Sequence, residues 1–179
     1  MGDTVLEELA ALLGARNGLD SRIAELIGRP MTAGHLGEYI ASRVFAIELE
    51  MSASAAALDG RFTTGSLAGR TVNVKWYLKR EGLLDLTESD ALDHYLVLTG
   101  PASTGASSRG QVRPWVISNV YIFDARALRD DLHARGRRVG VASSVRAAAW
   151  TGAEAYPREH PLLPLSADQR AALRLFDVG

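Results

Sequence analysis

Cysteine is absent from the 179 residues, which removes disulfides, thiolate metal sites and cysteine nucleophiles from consideration. Long apolar runs are absent too: nothing approaches the roughly 18 consecutive apolar residues of a spanning helix. The opening MGDTVLEELAALL carries acids where a secretory leader needs a basic stretch. The expectation is a cytoplasmic protein with no membrane partner. Net charge is almost absent, at −1, which argues against strong non-specific affinity for nucleic acid. No dinucleotide or phosphate-loop glycine fingerprint occurs. Ser143 and Ser144 lack the Gly-x-Ser-x-Gly elbow of a hydrolase nucleophile. His94, His133 and His160 have no acidic partner at ligand spacing.

What the chain does have is apolar content, 47% against 23% charged residues, enough for one substantial core. A single domain over 1–179 is expected. It has a helical elaboration at 1–30, a core at 33–145 and a tail with a helix at 146–179. Charge is unevenly distributed: residues 1–60 hold 4 Lys/Arg and 9 Asp/Glu, whereas residues 61–146 hold 13 and 8. A basic middle can face a polyanion, but charge alone favours a solvated mixed surface.

The helical spacing of Leu6, Leu9, Leu12 and Leu13 predicts a helix over Thr4–Ala15, and Asn17-Gly18 is read as a break before a second helix, Leu19–Ile27. A third is predicted from about Ala33 to Met51, capped by Thr32. Continuous apolar residues make Tyr95–Thr99 a central strand covered on both faces. Trp115–Phe123, a helix Ala125–Ala134 capped by Asp124, and Arg138–Val145 read as strand, helix, strand, a parallel crossover. The tail ends in a helix capped by Ser166, with Leu173, Leu175 and Phe176 docked on the core. The fold class is therefore α/β, a mixed central sheet with flanking helices.

The most informative stretch is Ala57–Lys79, ALDGRFTTGSLAGRTVNVKWYLK. Val72, Val74, Trp76 and Leu78 alternate with Asn73, Lys75, Tyr77 and Lys79, the period of a strand with one buried face. A hairpin closed symmetrically about Leu67 places Asp59 opposite Lys75 and Arg61 opposite Asn73 on one face. On the other, Leu58 stacks on Trp76, Phe62 on Val72, and Gly60 faces Val74. Upstream, Glu38 lies on a helix stripe of small residues with Gly34, Gly37 and Ala41. A carboxylate there needs a partner. A salt bridge to Arg43 or Arg61 is one reading; a metal or catalytic carboxylate is the other. His35 is three residues from Glu38 and reads as a helix-start surface residue, with metal ligation as its alternative.

Glu38 on a helix, Asp59 on one hairpin strand and Asn73-x-Lys75 on the next resemble the PD-(D/E)XK nucleases, the restriction-endonuclease-like superfamily. The resemblance covers roughly Ala33–Val145 in element order: helix, β-hairpin, strand, strand-helix-strand, preceded by two helices. The phrases IGRPMTAGHLGEYIA, DGRFTTG, VNVKWY and YLVLTGP are similar to an uncharacterised bacterial domain family of that type. The resemblance implies Mg²⁺-dependent hydrolysis of DNA phosphodiesters. Asp59, Glu38 and Asn73 become metal ligands, with Asp59 and Glu38 also counted as catalytic beside Lys75 at the attacking water.

Two residues depart from the motif: Leu58 stands for its proline and Asn73 for its second acid. An amide oxygen can ligate Mg²⁺, yet it brings no charge. A non-catalytic module binding nucleic acid or protein through a weakened site is therefore the alternative. An ordinary cross-strand Asp59–Lys75 pair on a solvated face is the purely structural one. The small-residue loop 101–112 contributes Ser108 and Arg109 as phosphate-binding candidates, joined by Arg113 just beyond it and Arg61 on the hairpin. Closure of that loop over a small substrate is a further possibility.

Overall fold

Local chemistry decides most element ends. The computed structural model describes residues 4–50, 57–102 and 113–177. Helix α1 spans Thr4–Ile27 without interruption, so Asn17-Gly18 is not a break. The Ser21 hydroxyl donates to the Asn17 carbonyl at 2.9 Å and Arg16 pairs with Asp20 across the site. Glycine inside a helix costs only about 1 kcal/mol. Helix α2, Ala33–Phe45, starts at Thr32, whose hydroxyl accepts from the His35 amide. It stops six residues earlier than Met51. Ala46 turns left-handed at φ 52°, and its carbonyl accepts from both the amide and the hydroxyl of Thr63 at 2.8 and 2.7 Å. Tertiary pairing holds a stop that glycine would signal openly.

The chain then runs directly into β1, Ile47–Leu49, and continues through β2, Gly60–Phe62, and β3, Thr71–Tyr77. These three form an antiparallel meander. Between β2 and β3 lies a 3₁₀ turn at Gly65–Leu67. The Gly69 amide donates to the Phe62 carbonyl at 2.7 Å while the Phe62 amide donates to Arg70 at 3.0 Å. Two residues thus face one, with Gly69 left-handed at φ 80°, the pattern of a glycine bulge. The closure is therefore asymmetric. Gly60 pairs with Val72 and Arg61 with Thr71, so Asp59 falls opposite Asn73 rather than Lys75. A displacement by two residues preserves which side chains share a face.

After β4, Leu83–Leu84, the central strand β5, His94–Thr99, is buried at every position. It is parallel to β3 and antiparallel to β6, Asn119–Asp124. Asp124 caps α3, Ala125–Ala134, by accepting from the Ala127 amide at 2.8 Å. The strand-helix-strand crossover does not form: β7, Ser143–Ser144, leaves the main sheet and pairs antiparallel with β4. Helix α4, Ala147–Ala153, and strand β8, Glu154–Tyr156, follow. The small residues and prolines of this tail signal neither element. Helix α5, Ala167–Arg174, is closed by a Ser166/Gln169 capping box.

The result is a mixed α/β fold whose six-stranded sheet has the order β1-β2-β3-β5-β6-β8. Helices α2 and α5 lie over one face, where Phe62, Val72, Val74, Trp76, Leu96 and Leu173 pack together. Helices α3 and α4 lie over the other, with Tyr95, Val97, Tyr121, Leu132 and Trp150. Leu58 packs on this second cluster, not on Trp76. Leu175 is 71% exposed and does not dock, while Phe176 packs partly against the first cluster. Among the described residues no helix is long and apolar enough to cross a membrane.

Candidate functional site

Asp59 precedes β2 and is held from both sides. Its carbonyl accepts from the Glu50 amide and its amide donates to the Val72 carbonyl, each at 2.9 Å. Its carboxylate Oδ2 accepts from the Val74 amide at 2.7 Å. The side chain therefore lies along β3, where strand geometry presents Asn73 and Lys75 on the same face. Burial pushes the Asp59 carboxyl above the usual carboxylate range; the Val74 N–H opposes this, the nearby Glu38 charge adds to it, and Lys75 and Arg29 pull it back down. Glu38, Asp59 and Lys75 are thus within electrostatic reach of one another, from α2, the start of β2 and β3.

Asn73 is 4% exposed. Its Nδ2 donates to the Ala57 carbonyl at 3.1 Å, which fixes the amide and leaves Oδ1 buried with no hydrogen-bond partner among the described residues. A buried, unsatisfied carbonyl oxygen costs roughly 1–3 kcal/mol. It is a hard donor of the type divalent cations bind.

The partner of Glu38 is Arg29, with Nη1 2.5 Å from Oε2, and neither Arg43 nor Arg61. The residue comes from the Arg29-Pro30 turn ahead of α2, and a separation of nine residues across a turn leaves no periodic signal. The turn is held by the His35 ring, whose Nδ1 lies 2.8 Å from the Pro30 carbonyl. Glycine makes room for the helix: a Cβ on Gly37 would meet Trp76 Cβ at 2.9 Å, so α2 crosses β3 with its backbone nearly on the strand and Glu38 follows it in.

The phosphate-binding candidates do not assemble as a group. Arg61 is exposed and donates to the Gly69 carbonyl at 3.3 Å, toward the turn. Arg113 is exposed in the segment leading to Trp115. Ser108 and Arg109 lie outside the described residues. Among the described residues no three His, Asp or Glu side chains form a group that could hold a metal ion.

The three remaining histidines lie elsewhere. His133 pairs with Glu88 at 3.0 Å, a partner that sequence spacing missed. His160 lies 3.0 Å from the Gly152 carbonyl. His94 is buried at the start of β5, its pKa lowered by burial, and lines a cavity of about 900 Å³ with Arg70, Asp93, Asp124 and Arg129. None of Glu38, Asp59, Asn73 and Lys75 lines that cavity. No protein-family model matches the chain, and no curated protein matches it in sequence.

Proposed function

We propose that the chain is a Mg²⁺-dependent phosphodiesterase acting on DNA, built on a restriction-endonuclease-like core, with Asp59, Glu38 and Asn73 holding the cation and Lys75 at the nucleophile. The observation that carries this reading is Asp59: a carboxylate made hard to ionise by burial, with Glu38 beside it and the unpartnered Asn73 oxygen on the facing strand. A buried carboxylate and a carbonyl oxygen with no partner among the described residues are unfavourable alone and become favourable around a cation. Oxygen-only donors fit Mg²⁺, which retains several waters. The ion, when bound, activates water and offsets charge on the phosphoryl oxygens.

The chain's own residues supply the rest. Val74 orients the Asp59 carboxylate through its backbone amide. Lys75 has no ion pair among the described residues, which leaves its ammonium to orient the attacking water and counter the charge developing at phosphorus. Cleavage of duplex DNA that requires Mg²⁺ or Mn²⁺ and stops with a chelator is the expected result.

Asp59→Asn separates this reading from a structural one. The folded carboxyl holds its proton to higher pH than its unfolded reference of 3.8. The associated stabilisation is therefore complete below that reference and lost as pH rises through the folded value. Asparagine keeps an oxygen for the Val74 amide and never ionises. The variant should match wild type at low pH and melt a few degrees higher at neutral pH, as about 1 kcal/mol produces in a domain of this length, while losing cleavage. Thermal melts between pH 4 and 8 check this. A variant that melts lower throughout contradicts the assignment of Asp59 as a strained ligand.

The Arg29–Glu38 ion pair favours a second reading, a non-catalytic module binding nucleic acid or protein through a weakened site, because it already neutralises one carboxylate. Calorimetry distinguishes the two. Metal binding lost in Asp59→Asn supports the nuclease; salt-sensitive DNA binding without metal supports the module.

A further inference from the structure

Helix α1 buries none of its residues. Only Asp20, Ile23, Ala24 and Ile27 are even partly covered, near the end that touches α2. Yet Leu6, Leu9, Leu12, Leu13, Leu19 and Leu26 are each between 49% and 77% exposed. Solitary helices are marginal in water, and surface helices in proteins owe their stability to an apolar face that is covered. Soluble chains rarely leave so continuous a patch open unless it meets something.

The spacing identifies what covers it. Leu9, Leu12, Arg16, Leu19, Ile23 and Leu26 recur at alternating intervals of three and four, the a and d positions of a coiled-coil seam, flanked by Leu6 and Leu13 on one side and Glu8, Ala15 and Arg22 on the other. We propose that α1 is a dimerisation element that pairs antiparallel with α1 of a second copy of this chain, centred on Gly14.

Charge selects this arrangement. A parallel, in-register pair opposes the two Arg16 side chains inside the seam and places Glu8 and Arg22 beside apolar neighbours. The antiparallel pair centred on Gly14 sets Leu9 against Leu19 of the second copy and Leu12 against its Arg16, whose stem covers the leucine. The Arg16 head stays at the edge beside its own Asp20, 3.6 Å away. It also sets Glu8 against Arg22 of the second copy, twice by symmetry. In this register residues 4–24 of the two helices overlap, about 31 Å at 1.5 Å per residue.

Sedimentation or light scattering of the full chain should give a dimer, and Leu12→Glu with Leu19→Glu a folded monomer, since neither side chain is buried in the body. Glu8→Arg should raise the dissociation constant roughly tenfold, two attractions becoming repulsions. Adding Arg22→Glu should restore it. With no native cysteine, Ala15→Cys should crosslink to itself at the dyad while Leu26→Cys does not. A monomeric wild type, a charge swap without rescue, the reverse crosslinking pattern, or binding of α1 to lipid vesicles in place of self-association each overturns the proposal.

Discussion

Lys75→Ala should lower the rate of DNA cleavage by roughly 10²–10⁴, the range carried by a positioned proton-transfer group, with the fold intact. The side chain is partly exposed on β3, while its neighbours Val74 and Trp76, on the opposite face, are buried at 4% and 7% exposure and hold the strand in place. Removing the ammonium also removes one of the influences that hold the Asp59 pKa down. The variant should therefore lose a little stability at neutral pH and none in acid. Metal binding should persist, because the oxygen donors are untouched. Lys75→Arg should fail to rescue, since guanidinium neither gives up its proton nor fits the same space. Single-turnover rates on a labelled duplex decide the matter: wild-type cleavage by Lys75→Ala would falsify the catalytic assignment.

Gly60→Ala should cost roughly 3 kcal/mol or more, at the upper end of what overpacking produces. Strand β2 lies between β1 and β3, and a Cβ on Gly60 would fall 2.3 Å from the Glu48 carbonyl oxygen and 2.8 Å from Ile47 Cγ2. The nearest obstacle is backbone, not a side chain that can rotate away. At 2–4 °C per kcal/mol for a domain of this length, the melting temperature should drop by about 6–12 °C. Because Asp59 is adjacent and is anchored to both neighbouring strands, metal binding should weaken along with stability. Equal stability in the variant would mean that β1 is not packed against β2 in solution.

Some of this architecture was legible because local chemistry and tertiary structure agree. Thr32, Asp124 and Ser166 are caps by residue type and caps in fact. The run from Tyr95 to Thr99 is apolar because both sheet faces are covered. Strict alternation put Asn73 and Lys75 on one face of β3, but it did not show that this face is covered as well: Asn73 is 4% exposed, and Tyr77 packs on the second cluster together with Leu58, which was expected on the other face. The register of the hairpin could not be read, because the bulge at Gly69 adds a residue to one side only and a symmetric count across the turn misses it. The end of α2 was hidden for a different reason: Ala46 adopts a left-handed conformation that alanine does not advertise, fixed by hydrogen bonds from Thr63. The strand-helix-strand unit failed because β7 has a closer partner in β4, a choice made by packing rather than propensity. Arg29 lay beyond reach since its ion pair depends on the path of one turn.

The C-terminal helix α5 has a consequence for the order in which the molecule becomes whole. Leu173 is fully buried in the first core cluster, and Gln169 donates to the Val44 carbonyl across 125 residues of sequence. Ser66 reaches the Leu162 carbonyl across 96. During synthesis the face of the sheet under α2 therefore stays unsealed until residues near Leu173 have left the ribosome, even though α2 and β1–β3 emerge early. Contacts so distant in sequence slow the final closure and leave apolar strands open to wrong partners meanwhile.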